Sequence, residues 1–307
     1  MSSLSDLIDI EEFKKYIAED CDRLTFLQNY LSKGGLTSSV LNLAGKKHLY
    51  VNFPSSSYDP TFKIKTIISH YDRVPASPGA NDNSAANFAL ADFALELFQQ
   101  RNLVHNIRIF FTDGEELGEE GVSSQGAFAL AELFRKLGIT KDDVYVFDAC
   151  GRGDVAVLAR AGMDAKVSSI FKRTFTDLYQ RTESLLKEVS PNKWMTLPVP
   201  YSDNAGFLAC GIPAVAITFL PKEEAGLYYK NLMTDKNLEK AVMNCRIDSE
   251  SKDKSDLSIQ RFKYQEKMPL TWRLFHTEYD NFLSLTPESF ILMKKILNSM
   301  AKLKVLC

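Results

Sequence analysis

The chain has 307 residues. Along it, side chains that bind divalent cations or carry protons recur in the order His70, Asp72, Asp82, Glu115-Glu116, Asp148, His276. They fall in four segments: SHYDRVPASPGANDNSAA (Ser69 to Ala86), FTDGEELGEEG (Phe111 to Gly121), VYVFDAC (Val144 to Cys150) and LFHTEYDNF (Leu274 to Phe282). Two imidazoles (His70, His276) and three carboxylates (Asp82, Glu116, Asp148) suit a pair of zinc-like divalent ions sharing one bridging carboxylate. Such a pair does hydrolysis, because it makes hydroxide at neutral pH and polarises a carbonyl.

Each piece has an ordinary reading as well. HYD sets His70 and Asp72 on one side of an extended backbone, so the carboxylate can accept the second ring N–H and hold the tautomer that binds a metal. A strand-end histidine bonded to a turn would read the same way. Asp82 has two oxygens with which to bridge cations, but GANDNSAA also reads as a helix start capped by Asn83 or Ser84. Glu115 and Glu116 repel each other unless a cation separates their roles, one ligating and one taking a proton. Glu119-Glu120 reads as a solvated acidic turn. Asp148 ends the apolar run VYVF, where an uncompensated carboxylate is costly. His276 has Asp280 four residues on as a partner for its ring. The combination outweighs the parts. The chain has only 4 histidines. His48 and His105 have no carboxylate at motif spacing and read as structural or exposed.

These residues need elements to bring them together. KIKTIIS (Lys63 to Ser69), NIRIFFT (Asn106 to Thr112), DVYVFDA (Asp143 to Ala149), DVAVLA (Asp154 to Ala159) and PAVAITF (Pro213 to Phe219) read as strands. Asn83 to Asn102 and Gly126 to Leu137 read as helices between them. Ile8 to Leu31 reads as one helix, and SSVLNLAGKKHLYVNF as a hairpin turning at Ala44-Gly45-Lys46. A last helix follows Thr286, with Thr286 as its cap and Pro287 in its first turn. The alternation predicts an α/β fold: a three-layer αβα arrangement about a mostly parallel, mixed central sheet. In such sheets functional groups gather at the carboxyl ends of strands. His70, Asp72, Glu115, Glu116 and Asp148 all follow strands. The stretch from about 221 to 270 is rich in Lys, Asp, Glu and Ser with weak periodicity. It reads as an insertion or lid on a single catalytic domain spanning 1–307.

Composition narrows the function classes. The chain is 45% hydrophobic and 25% charged, with a net charge of -2. That composition is globular and carries no footprint for nucleic acid or an anionic membrane. The 5 cysteines lack any CxxC pair, which argues against a disulfide framework or a cysteine zinc site. The start MSSLSDLIDIEEFKKY lacks the pattern of a secretory signal, and no run approaches about 18 apolar residues. A cytoplasmic protein is the expectation; oligomeric state is not legible. CGRGDVA matches G-x-G-x-x-A through Gly151, Gly153 and Ala156, but a dinucleotide site needs a helix next and a strand is expected there.

The joint pattern HYD…PGANDNSA…EE…D…HT closely resembles the M28-type zinc aminopeptidases, from about Leu24 to the last helix. The resemblance implies a zinc-exopeptidase-like fold and two divalent ions, zinc foremost. One ion would be held by His70, Asp82 and Asp148, the other by Asp82, Glu116 and His276. Glu115 would be the general base and Asp72 the carboxylate behind His70. It also implies a cis peptide at Asp82-Asn83. The substrates would be peptides with a free N-terminus. YSDNAGF (Tyr201 to Phe207) resembles a family segment in which a histidine is common where Asn204 stands; Tyr201 is a candidate substrate-binding residue. Related proteins on this scaffold are glutaminyl cyclases with one zinc. A non-catalytic binding scaffold is the remaining alternative.

Overall fold

In the computed structural model, residues 3–100, 102–116, 121–160, 168–243 and 264–307 are described. Eight strands form one mixed sheet: β1 (Ser38–Leu43), β2 (Lys46–Val51), β3 (Lys65–His70), β4 (Ile107–Thr112), β5 (Asp143–Phe147), β6 (Val155–Ala159), β7 (Trp194–Leu197) and β8 (Ala214–Leu220). Their order is β1-β2-β4-β3-β5-β8-β6-β7. The central strands β4, β3, β5 and β8 are mutually parallel. The antiparallel pairs β1/β2, β2/β4 and β6/β8 lie outside them. The chain leaves β3 for β4 on one side and then reaches β5 on the other. That reversal opens a crevice at the carboxyl ends of these strands.

The helices are α1 (Ile10–Ile17), α2 (Arg23–Lys33), α3 (Ala85–Gln99), α4 (Gly126–Lys136), α5 (Ser169–Val189), α6 (Asn204–Ala209), α7 (Lys222–Thr234), α8 (Lys236–Met243), α9 (Leu270–Arg273) and α10 (Pro287–Lys302). Alternation along the strands separates two cores. Ile67, Ile109, Tyr145 and Ile217 point to a core shared with α1, α2, α3, α5 and α10. Ile68, Phe110, Val146 and Ala216 point to a second core shared with α4, α6, α7 and α8. The expected α/β architecture, helices on both faces of a mixed sheet, is therefore present.

The hairpin turns where expected, with Ala44 at φ 48° and Gly45 at φ 80°. A two-residue turn with both central residues at positive φ matches the strand twist, and glycine meets that demand without a Cβ penalty. Other expectations are modified. Ile8 to Leu31 is two helices, because Asp9 caps α1 and Asp22 starts α2 by accepting the Thr25 N–H. Thr286 precedes α10 but makes no side-chain cap; its hydroxyl accepts the Gly153 N–H at 2.8 Å instead. Helix α5, strand β7 and helix α6 lie outside the sequence expectations. In the 221–270 segment, α7 and α8 bury Ala225, Tyr228, Leu238 and Val242 in the second core. Residues 244–263 of that segment, and the Glu119-Glu120 turn, lie outside the described residues. No described helix is long and apolar enough to cross a membrane.

Candidate metal centre

Three parallel strands deliver most of the site. His70 is the last residue of β3 and is fully buried. Glu115 and Glu116 follow β4, and Asp148 follows β5. Asp82 lies in a kinked turn, Ala80–Ser84, ahead of α3, with non-helical φ/ψ at Asp82 and Asn83. Its peptide bond to Asn83 is cis, as the resemblance implied. His276 comes from a loop after α9, at φ 61°.

These side chains converge. His70 Nε2 lies 3.2 Å from Asp82 Oδ1 and 3.6 Å from Asp148 Oδ1. His276 Nε2 lies 3.5 Å from Asp82 Oδ2 and 3.0 Å from Glu116 Oε2. Asp82 thus turns one oxygen to each imidazole. Donor atoms of His70, Asp82 and Asp148 all lie within 4.8 Å of one another, as do those of Asp82, Glu116 and His276. His70 with Glu115 and Glu116 forms a third, overlapping group.

The polar surroundings hold the donors in place. Asp72 Oδ1 lies 3.5 Å from His70 Nδ1. The same carboxylate accepts the backbone N–H of Glu115 at 3.1 Å and of Glu116 at 3.0 Å. Gln125 donates to Glu115 Oε1 at 3.3 Å. Asn83 donates to the Phe147 carbonyl and accepts from the Ala149 N–H, which ties the Asp82 turn to the end of β5. Asn87 donates to the His70 carbonyl at 2.9 Å. The buried Arg23 guanidinium donates to the carbonyls of Tyr71 and Pro78 and to Ser84 Oγ. Asp280 does not back His276 as its spacing suggested. It accepts the N–H groups of Asn81 and Asp82 at 2.8 and 3.0 Å, because those turn amides are otherwise unpaired.

The electrostatics call for positive charge. Burial pulls the His70 pKa down, yet Asp148, Asp72 and Asp82 together hold it well above 6.5. Burial likewise opposes protonation of His276, but Asp82 and Glu116 push its pKa up to about 10. Burial would raise the Asp82 pKa, but His276 and His70 hold it well below the usual carboxylate range. Glu116 is shifted upward by burial and by the Asp82 charge. Both His70 ring nitrogens, Glu116 Oε2 and Asp148 Oδ1 are buried without a hydrogen-bond partner among the described residues. Buried donors are normally satisfied. Divalent cations among these atoms would satisfy them and offset the crowded carboxylates, so the residues fit a metal site.

The site opens on a cavity of about 480 Å³ lined by Tyr201, Val199, Met268, Trp272 and Phe275 beside Asp82, Asp148 and His276. Sequence reasoning missed Asp203, which is fully buried, accepts from the Thr112 hydroxyl at the end of β4, and has its pKa pushed up to about 7 by burial. Its signal was the polar YSDN run ahead of α6. Asn204 turns inward to accept the Ser202 N–H. His48 and His105 are buried and belong to none of these donor groups: each accepts a backbone N–H, from Asp113 and Ile107 respectively. They are structural, and not exposed.

Solved structures of similar fold include the LapA aminopeptidase of Legionella pneumophila, with TM-score 0.63 and 13% identity over 97% of this chain and 72% of that one. BSAP, a zinc aminopeptidase from Bacillus subtilis, aligns with TM-score 0.51 and 14% identity over 83% of this chain and 49% of that one. The glutaminyl cyclase of Porphyromonas gingivalis aligns with TM-score 0.58 and 12% identity over 97% and 98% of the two chains. At such identities the likeness is one of fold. Comparison with curated proteins gives no significant match. The stretch that carries His70 through His276 is also the stretch, residues 54–300, that matches the sequence profile of Peptidase family M28, and the chain belongs to that family.

Proposed function

We propose that the protein is a metal-dependent aminopeptidase that hydrolyses N-terminal residues from peptides with a free N-terminus. The observation that carries this reading is the division of Asp82, Oδ1 toward His70 and Oδ2 toward His276. One carboxylate facing two imidazoles is the arrangement two cations need in order to share a ligand. His70, Asp82 and Asp148 would hold one cation and Asp82, Glu116 and His276 the other, with zinc suited to this nitrogen and oxygen set. When bound, the ions supply Lewis acidity toward a scissile carbonyl and lower the pKa of water.

The remaining work belongs to the chain. Glu115 is buried, with its backbone held by Asp72 and its side chain by Gln125. From there it takes a proton from the attacking water and returns it to the leaving amine. Asp72 Oδ1 lies 3.5 Å from His70 Nδ1, on the side of the ring away from the ligand cluster, where its charge favours a proton on Nδ1 and leaves Nε2 to face the cluster. The cavity beside them receives the substrate's first residue, with Tyr201 on its wall. The whole chain, 1–307, is read as one catalytic domain. Gln265 and Met268, at the end of the 221–270 region, line the cavity, which supports a covering role for that end of the region, while α7 and α8 belong to the second core.

Glutaminyl cyclase chemistry is the second reading, favoured by the near-complete mutual coverage with the Porphyromonas gingivalis cyclase fold. Product analysis by mass spectrometry separates the two. Short peptides with a free N-terminus, an acetylated N-terminus or an N-terminal Gln are incubated with zinc or with chelator. Stepwise, chelator-sensitive loss of the first residue from free peptides only is expected. Loss of ammonia from the Gln peptide without cleavage would replace the aminopeptidase reading with the cyclase one.

A further inference from the structure

Among the described residues, Arg273 is the one lysine or arginine that lines the cavity; the other ionisable acids and bases lining it are Asp82, Asp148, His276 and the phenol of Tyr201. It closes α9, three residues before His276. Among the described residues its side chain has neither a hydrogen bond nor an ion pair. A guanidinium beside an apolar wall and facing a ligand space is a natural carboxylate receptor, because its planar fork matches a carboxylate in two-point contact.

The backbone beneath it is held firmly. Glu224 Oε2 accepts both the Thr271 N–H at 2.8 Å and the Thr271 hydroxyl at 2.9 Å. Arg152 donates to Glu224 Oε1 at 3.2 Å and to Thr271 Oγ1 at 3.1 Å, and also to the Ser284 carbonyl. Trp272 packs edge-on against Tyr228, with ring centroids 5.0 Å apart. Arg273 therefore extends from a helix turn whose two preceding residues are held in place, and its own side chain is exposed.

The cavity is thus polarised. Carboxylates gather at the candidate metal centre, and among the described lining residues Arg273 alone adds a guanidinium to the wall. A volume of about 480 Å³ is in the range of small-molecule sites. We propose that Arg273 selects substrates carrying a carboxylate just beyond the scissile bond, so that short peptides with a free C-terminal carboxylate are preferred. This rests on the aminopeptidase reading for the placement of the scissile bond. The recognised group is a carboxylate; an acidic side chain at the second residue would supply the same chemistry.

The test uses Leu-Ala, Leu-Ala-amide and Leu-Asp-amide with the full-length zinc-loaded protein. Binding is read by calorimetry on Glu115→Gln, which removes turnover, and KM and kcat are read on the parent protein. Leu-Ala is expected to bind on the order of tenfold tighter than Leu-Ala-amide, as for a charge-assisted bond near solvent. Adding Arg273→Gln should erase that difference while leaving Leu-Ala-amide binding unchanged, and Arg273→Lys should restore part of it. Tighter binding of Leu-Asp-amide than of Leu-Ala-amide would identify the side chain as an equivalent source. Equal binding of all three peptides, or a carboxylate preference that survives Arg273→Gln, would overturn the proposal. Carboxylate-selective binding without cleavage would instead uphold Arg273 and remove the aminopeptidase reading.

Discussion

Asp72 reaches three of the chemical groups at once: the His70 ring and the backbone amides of Glu115 and Glu116. Replacing it with Asn keeps the shape but weakens the acceptor. Zinc affinity or turnover of Asp72→Asn should drop 10- to 100-fold by the usual range for such supporting groups; wild-type values in a zinc titration and a peptide assay would refute that role. Glu115→Gln should keep its zinc and lose about 10²–10⁴ in kcat, and full activity would remove it as the base. His105 offers a pH test away from the site. Burial, then Lys65 and Lys304, lower its pKa from 6.5 to about 4. The unfolded chain therefore binds the extra proton between those values. The stability tied to the neutral ring is present above pH 6.5 and is lost as pH falls toward 4. Relative to His105→Asn, the wild-type urea midpoint should decline between pH 7.5 and pH 5; a difference independent of pH would contradict this. The ligand set was legible because histidines are few and their acidic partners follow strands. Arg23, Asn83, Asn87 and Gln125 were not, because their bonds cross 10 to 66 residues of chain.

At the level of elements, turn chemistry and strand alternation were readable, and helix breaks less so. Both Asp9 and Asp22 are caps within one apolar-periodic stretch, and periodicity alone carries across the gap between α1 and α2. Helix α5 escaped notice although Phe175, Leu178, Thr182, Leu185 and Leu186 mark its buried face, since its exposed face is crowded with charge. The G-x-G-x-x-A match shows why such glycines need context. Gly153 precedes β6 and not a helix. It sits at φ 110°, and a Cβ there would lie 2.1 Å from the Leu220 carbonyl carbon. Gly153→Ala should cost about 2–4 kcal/mol, combining left-handed strain with overpacking. Gly45→Ala in the hairpin, at φ 80° with open space around it, should cost only about 1–2 kcal/mol. Equal melting temperatures for the two variants would contradict the close packing of β6 on β8.

For the molecule as a whole, the sheet order explains why widely separated residues meet. The reversal at β3 puts the carboxyl ends of β4, β3 and β5 side by side, and the loops there carry Glu115, His70 and Asp148. Alternating strands and helices were enough to predict that meeting place. The edge order β8-β6-β7 depends on pairings between distant segments, and local pattern does not encode it. The candidate site gathers five carboxylates around two imidazoles, and the raised pKa values of His70 and His276 with the lowered one of Asp82 mark a pocket that favours positive charge. The central claim is that this charge is matched by two cations sharing Asp82. Its most direct test is to count zinc per chain by elemental analysis after exhaustive dialysis of the zinc-loaded protein. Two zinc ions per chain is the expected result; one, with no second site appearing at higher zinc, would contradict the shared-ligand centre.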